Sequence, residues 1–199
     1  MQEQHVHQHF IDSADLRYQW ADALARPIAQ ATQALLACVT GGSKVLTCGN
    51  GACGALAQYV VALLVGGLAR ERPALPALAL GTDLATFTAL GRHGDCNDGL
   101  AAQVRALGVA GDVLLMLATD GRAASLLRAV DAAHERDMSV VALTGQDDGE
   151  LGQRLRDTDI HVSVPSTDTV HILEAHQMVL HCVCEGLDRQ LLGDKENPA

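Results

Sequence analysis

The sequence predicts an α/β fold in which a five-stranded parallel sheet is flanked by helices. Short apolar runs begin at Val45, Ala77, Val113, Met138 and Ile160, and they alternate with helical patterns. The short connections between them favour parallel strands joined by right-handed crossovers. A chain of 199 residues suits one well-buried domain, and its 48% hydrophobic but only 3% aromatic content predicts an Ala, Leu and Val core.

The N-terminal 40 residues predict two helices packed as a hairpin. Asp12 or Ser13 marks the expected break between them, and Pro27 suits the first turn of the second helix. Leu24 and Leu35 lie on an apolar face of that second helix, at the spacing that a buried helix shows.

The remaining helices follow the strands along the chain. Helical patterns come after the first and third strands, and two short ones precede the third strand. The last helix is capped by Thr167 or Asp168 and ends near Leu192. We therefore expect one domain over residues 1–192 and a polar, flexible tail over residues 193–199.

The overall composition excludes several classes of partner. A formal net charge of −10 argues against direct binding to nucleic acid. The longest apolar stretch, Val60–Leu68, is too short to cross a membrane, and the polar N-terminus does not resemble a signal peptide. The six cysteines form no C-x-x-C pair. We therefore expect a cytoplasmic protein with reduced thiols.

The stretch Lys44–Cys53 carries the clearest functional signal. An apolar strand runs into Gly49-Asn50-Gly51, and a helical pattern begins at Ala52. The first N–H groups of a helix lack partners and lie at the positive end of its dipole, so this corner predicts an anion site. The same pattern also occurs as a simple tight turn. A ligand would lie beyond the carboxyl ends of the strands, where this loop should meet the loops at 81–83 and 118–123.

Several segments resemble the sugar isomerase (SIS) domain and, within it, the phosphoheptose isomerase group. They are GGSKVLTCGNGAC, ERPALPALALGTD, GDVLLMLATDG, MSVVALTG and the final helix after VPS. RERPALPALAL, QVRALGVAGDVLL, RDMSVVALTG and HCVCEGLDRQLL are similar to the DnaA initiator-associating (DiaA) proteins of that group. The resemblance implies a three-layer SIS fold and a homotetramer, in which the helices of residues 1–41 assemble and bury Phe10 and Trp20.

The resemblance also implies a divalent metal site in the isomerases, with a His and a Glu on the helix after the Gly-rich loop and a Gln and a His on the last helix. This sequence has Tyr59, Leu63, Leu173 and His181 at those positions. A catalytic metal usually needs about three protein ligands, so we expect neither a metal nor another cofactor. Leucine at the position of the proton-transferring Glu predicts that isomerisation is absent, with His181 as a weak candidate for a catalytic residue.

The resemblance implies a phosphate site at the Gly-rich loop and at a Ser-Thr-Ser-Gly-Asn-Ser loop, which reads Ala118–Ala123 here. Three hydroxyl donors are lost, and Asp120 would repel a phosphate unless Arg122 turns inward to offset its charge. Binding of a sugar phosphate should therefore be weaker than in the isomerases, or altered. The expected sugar-phosphate pocket consists of Asn50, Gly51, Ala52, Cys53, Thr119, Asp120, Gly121 and Arg122.

The last helix ends in Leu191-Leu192, where the resemblance implies an apolar pair that contacts DnaA. The same pair also suits a helix end that packs on its own domain. We interpret the chain as a non-catalytic, carbohydrate-derivative-binding scaffold that binds DnaA and promotes its assembly at the chromosomal origin. The alternatives are a divergent sedoheptulose 7-phosphate isomerase that uses His181 or His93 as its base, and a sugar-phosphate sensor.

Three other groups of side chains have a structural and a functional interpretation. We expect a solvated helix end at His5, His7 and His9, in preference to a metal site. We likewise expect buried or interfacial side chains in the last helix, in preference to a substitute metal site formed by His171, Glu174 and His181. Cys53 is expected to be a packed thiol in preference to a reactive one.

Overall fold

The five apolar runs form one parallel sheet in a computed structural model that describes residues 2–92 and 95–194. The α/β class and the five strands are therefore confirmed. In chain order the elements are α1 (Gln2–Thr40), β1 (Val45–Gly49), α2 (Ala52–Gly66), β2 (Ala77–Ala79), α3 (Leu84–Gly91), a 3₁₀ turn (Cys96–Asp98), α4 (Gly99–Leu107), β3 (Val113–Leu117), α5 (Ala124–Glu135), β4 (Ser139–Thr144), α6 (Leu151–Arg154), β5 (Ile160–Ser163) and α7 (Thr169–Leu192).

The strand order is β2-β1-β3-β4-β5, with all neighbours parallel. All five residues of the central strand β3 are buried, as expected for a parallel strand that is covered on both faces. The chain leaves β1 toward β2 on one side and returns to β3 on the other. The carboxyl ends of β1 and β3 therefore flank the point where the winding direction reverses, which is where open α/β sheets bind ligands.

Helices cover both faces of the sheet and give two apolar cores. On one face α1, α2 and α7 pack together, with Leu35, Leu64 and Leu180 almost fully buried. On the other face α4 and α5 pack around Leu114 and Met116 of β3. This is the three-layer arrangement that the sequence predicts.

The predicted N-terminal hairpin is wrong, because residues 2–40 form a single helix of 39 residues that contains Pro27. Asp12 accepts a hydrogen bond from Gln8 at 2.8 Å within the helix, and the hydroxyl of Ser13 donates to Glu174 of α7 at 2.5 Å. Both side chains thus have partners that do not interrupt the helix. Packing of α1 along α7 outweighs the local tendency of these residues to end it.

Burial of the N-terminal helix differs along its length. Trp20 is buried against the core of its own chain, whereas Phe10 is 73% exposed. Trp20 therefore does not need a tetramer to be buried, and the homotetramer stays a prediction. Within the ranges described, no helix is both long and apolar enough to cross a membrane. His93 and residues 195–199 of the predicted tail lie outside those ranges.

Candidate functional site

Two helices begin at the crevice between β1 and β3. Helix α2 starts after Gly51, which has a φ of 54°, and α5 starts after Ala123. Among the described residues, neither helix has a side chain that caps its first turn. We call these the open N-termini. Their N–H groups and positive dipole ends favour an anion at this point.

The backbone is packed unusually closely where β1 leads into α2. A Cβ atom on Gly49 would lie 2.6 Å from the carbonyl carbon and oxygen of Cys53, and one on Gly54 would lie 2.9 Å from the carbonyl oxygen of Gly49. Only glycine fits at these positions without moving the backbone. The close packing places the first turn of α2 directly above the carboxyl end of β1.

The open N-termini are joined by a hydrogen bond and share a pocket. The amide of Asn50 donates to the hydroxyl of Ser125 in the first turn of α5 at 2.9 Å. The cavity beside this bridge has a volume of about 210 Å³. Its lining consists of Asn50, Ala52, Cys53, Ala118, Thr119, Asp120, Ala123, Leu126, Thr169 and Leu173.

Five of the eight predicted pocket residues line this cavity, whereas Gly51, Gly121 and Arg122 do not. Gly121 packs under the loop after β4, where a Cβ atom would lie 1.5 Å from the carbonyl oxygen of Asp148. Arg122 turns away from the pocket, and its guanidinium donates to Asp147 at 2.6 Å. The inward turn of Arg122 that would offset the charge of Asp120 is therefore not found. The sequence did not indicate the salt bridge to Asp147, which lies 25 residues away.

Asp120 and Cys53, two side chains that line the pocket, differ in their exposure to solvent. The side chain of Asp120 is exposed and accepts the N–H of Arg122 at 3.0 Å, as in an Asx turn. Burial, and to a smaller extent the charge of Asp120, raises the pKa of the Cys53 thiol to about 11. Cys53 is therefore a packed thiol, as the sequence analysis expected, because the thiolate is the reactive form.

A wider groove continues from this pocket between α2 and α7. It has a volume of about 480 Å³, and it shares Ala52 and Leu173 with the pocket at the open N-termini. Tyr59 and Gln177 line it further along. The hydroxyl of Tyr59 lies 2.7 Å from Nε2 of His181, and the two rings meet edge to face at 5.8 Å.

The four positions that the resemblance assigns to a metal do not fit one. Leu63 is 8% exposed in the core, Leu173 packs against the same core, and the remaining two side chains bond to each other. Within residues 2–92 and 95–194, no cluster of three or more His, Cys, Asp or Glu side chains is arranged to hold a metal ion. A hydroxyl and one imidazole are too few ligands for a catalytic zinc-type site.

Glu174 points toward α1 and not toward His181. Its carboxylate lies 3.0 Å from Nε2 of His9 and 3.3 Å from the guanidinium of Arg17, and the ring of His171 stacks on that of His9. His171, Glu174 and His181 therefore do not form a substitute metal site. The N-terminal histidines differ, since His9 is held in this cluster while His5 and His7 are exposed.

The apolar pair at the end of α7 is partly exposed. Leu191 and Leu192 have relative exposures of 36% and 38%. The guanidinium of Arg70 donates to the carbonyl oxygen of Gly193 at 2.5 Å, just after the helix end. The pair therefore does not pack fully on its own domain.

Comparison with known proteins gives the family. The SIS domain matches residues 8–145. The chain is 50% identical to a phosphoheptose isomerase of Methylibium petroleiphilum, over 98% of both chains. The chain belongs to the phosphoheptose isomerase group of SIS-domain proteins. Its fold is similar to the solved phosphoheptose isomerases of Francisella tularensis and Neisseria gonorrhoeae, each 39% identical. The TM-scores are 0.91 and 0.88, with 95% and 94% of this chain and 99% of each of theirs covered.

These comparisons overturn the expected function. Proteins named as enzymes are similar to this chain over its full length, whereas the expected non-catalytic scaffold that binds DnaA finds no support among them. The expectation of a non-catalytic scaffold is wrong, whereas the role of Leu191 and Leu192 in binding a partner is not tested by these comparisons. Loss of the metal-binding motif therefore does not by itself separate this chain from a family of enzymes.

Proposed function

We propose that this protein is a divergent phosphoheptose isomerase that interconverts a ketose phosphate and an aldose phosphate. Sedoheptulose 7-phosphate is the substrate to test first, because the relatives are named for a phosphorylated heptose. The observation that carries the proposal is the pair of open N-termini at the reversal point of the sheet.

The phosphate would lie in the pocket beside Ala52 and Ala123. Each helix N-terminus favours an anion by about 0.3–1 kcal/mol when exposed, and by up to about 2 kcal/mol when partly buried. The third nearby helix, α7, does not contribute, because Asp168 already accepts the N–H groups of Val170 and His171. The carboxylate of Asp120, which also lines this pocket, opposes binding, so the affinity for phosphate should be lower than the two helix N-termini alone would give.

The sugar chain would extend along the groove between α2 and α7. Tyr59 lies seven residues after Ala52, which is about 10 Å along the helix axis at 1.5 Å per residue. An extended seven-carbon sugar phosphate has a comparable length, so its reacting carbons would lie near Tyr59 when its phosphate is at Ala52. The separation between Ala52 and Tyr59 along α2 therefore suits the length of the proposed substrate.

A pair of substitutions at Ala52 tests the phosphate position. Ala52→Asp places a carboxylate in the pocket, and about 4 kcal/mol of repulsion at 4 Å should weaken binding at least about 100-fold. The fold should not suffer, because an acidic residue in the first turn stabilises a helix. Ala52→Asn, of similar shape but neutral, should bind within about 5-fold of wild type.

Calorimetry with sedoheptulose 7-phosphate measures binding, and a coupled assay measures conversion to the aldose phosphate. Equal affinities for the two variants would contradict the phosphate position. Binding by wild type without conversion would support the second candidate, a sugar-phosphate sensor. That candidate is favoured by Leu63 and Leu173, two apolar side chains at positions where the resemblance implies metal ligands. A wild-type protein that neither binds nor converts the sugar phosphate would overturn both candidate functions.

A further inference from the structure

Tyr59, which lines the groove between α2 and α7, is hydrogen-bonded to His181. Tyr59 lines the groove on the same face of α2 as Ala52 and Ala55, seven and four residues before it. Its hydroxyl is 2.7 Å from Nε2 of His181, which is 122 residues away on α7. Such a distance is a full hydrogen bond, through which a proton can pass.

Other polar groups along this groove are engaged elsewhere or unsuited to proton transfer. Glu174 is bound to His9 and Ser13 on α1. Gln177 carries an amide, which does not titrate. In the adjoining pocket, the thiol of Cys53 is held protonated by burial, which raises its pKa to about 11. The pair of Tyr59 and His181 is thus the best-placed acid–base group where the reacting carbons would lie.

We infer that the Tyr59 hydroxyl, hydrogen-bonded to His181, is the group that moves the proton between the sugar carbons. The inference rests on the proposed function. Tyr59 would be the catalytic residue, because its side chain lines the groove where the reacting carbons would lie. His181 would be the positioning residue that holds the tyrosine proton during the step.

The reaction balances without any other reactant. Tyr59 passes its proton to Nε2 of His181, and its oxygen takes the proton from C1 of the ketose. The C1–H electron pair forms the C1=C2 double bond, while the C2=O pair moves onto O2. The proton of O1 then passes to O2 within the enediolate, and the hydroxyl proton of Tyr59 exchanges with solvent. The C1=O bond forms, and C2 takes a proton from the Tyr59 hydroxyl. His181 finally returns the first proton to the tyrosine oxygen.

Three variants separate this role from a structural one. Tyr59→Phe removes only the hydroxyl, and Tyr18→Phe is the matched control, since Tyr18 is the other tyrosine of the chain and is 86% exposed. His181→Gln keeps a hydrogen-bond acceptor near Tyr59 but cannot hold the proton. General acid–base catalysis contributes about 10²–10⁴-fold, so Tyr59→Phe and His181→Gln should each lower kcat at least about 100-fold with little change in KM.

The experiment uses the full chain with sedoheptulose 7-phosphate in D₂O. NMR follows deuterium entering the sugar at C1 and C2, the coupled assay follows the aldose phosphate, and the shift of Tm follows binding. The expected result is exchange and conversion by wild type and Tyr18→Phe, and near loss of both in Tyr59→Phe and His181→Gln, which still bind the sugar.

Each other outcome overturns the inference in a distinguishable way. Undiminished exchange by Tyr59→Phe would place the proton transfer on another residue, while the proposed function would stand. Loss in Tyr59→Phe together with full activity of His181→Gln would remove the role of the histidine. Binding by wild type with neither exchange nor conversion would overturn both this inference and the isomerase proposal.

Discussion

The buried histidine of α7 should make the protein sensitive to mild acid. His176 is completely buried, its Nε2 lies 3.2 Å from the carbonyl oxygen of Thr144, and its Nδ1 has no hydrogen-bond partner among the described residues. Burial, only partly offset by the hydrogen bond to Thr144, lowers the pKa of this imidazole from 6.5 to about 4. Unfolding exposes the ring and lets it titrate normally.

The direction in which the free energy of unfolding changes with pH follows from proton binding by the folded and the unfolded chain. Between about pH 6.5 and pH 4 the unfolded chain binds a proton at His176 that the folded chain does not, so stability falls as the pH falls. The contribution is fully present above pH 6.5 and is lost toward pH 4. A gap of about 2.5 pKa units at 1.36 kcal/mol per unit corresponds to about 3 kcal/mol. His161, whose pKa is also lowered by burial, acts in the same direction.

Urea unfolding at several pH values between 7 and 4 measures this effect. His176→Gln keeps an N–H donor for the Thr144 carbonyl oxygen but cannot take up a proton, so its stability should fall less steeply by about 1.4 kcal/mol per pH unit. His7→Gln, at an exposed position, should follow wild type. Parallel curves for wild type and His176→Gln would refute the assignment of the acid sensitivity to this side chain.

Two further substitutions test the packing that supports the groove. Asp188→Asn should lower the free energy of unfolding by about 3 kcal/mol, because it leaves the guanidinium of Arg72, 2.6 Å away, buried without its carboxylate. Urea unfolding measures this, and the exposed control Glu185→Gln should cost less than about 0.5 kcal/mol. Gly49→Ala should cost about 2 kcal/mol or more, because its Cβ would lie 2.6 Å from the α2 backbone. Gly66→Ala, with no described atom within 4 Å of its Cβ, should be neutral or stabilising in thermal unfolding, and equal losses at both glycines would contradict this reasoning.

The sheet could be predicted from the sequence because its signal is local. Runs such as Val113–Leu117 are apolar throughout, and only a strand buried on both faces needs that pattern. The start of α7 was predictable for the same reason, since Asp168 caps it within three residues. The short helix Leu151–Arg154 was missed, because four residues show no period.

The N-terminal helix was not predictable, because its continuity depends on distant contacts. Ser13 and Asp12 are typical of helix starts, but Ser13 instead bonds to Glu174, 161 residues later in the chain. Arg122 is a similar case, since its ion pair with Asp147 removes it from the pocket. In both cases a side chain has an alternative partner that no local pattern indicates.

The candidate site combines two parts that tolerate substitution differently. In the proposed site, the phosphate end would be formed by the open N-termini at Ala52 and Ala123, and the loss of serine side chains around them leaves their backbone N–H groups in place. The chemical end depends on side chains, and there the replacement of one ligand changes what the others can do. Leu63 lies in the core, and the Tyr59 hydroxyl lies 2.7 Å from Nε2 of His181, the pair that we propose to move the proton. Loss of the metal-ligand motif therefore does not by itself leave the groove without a hydrogen-bonded pair of titratable side chains.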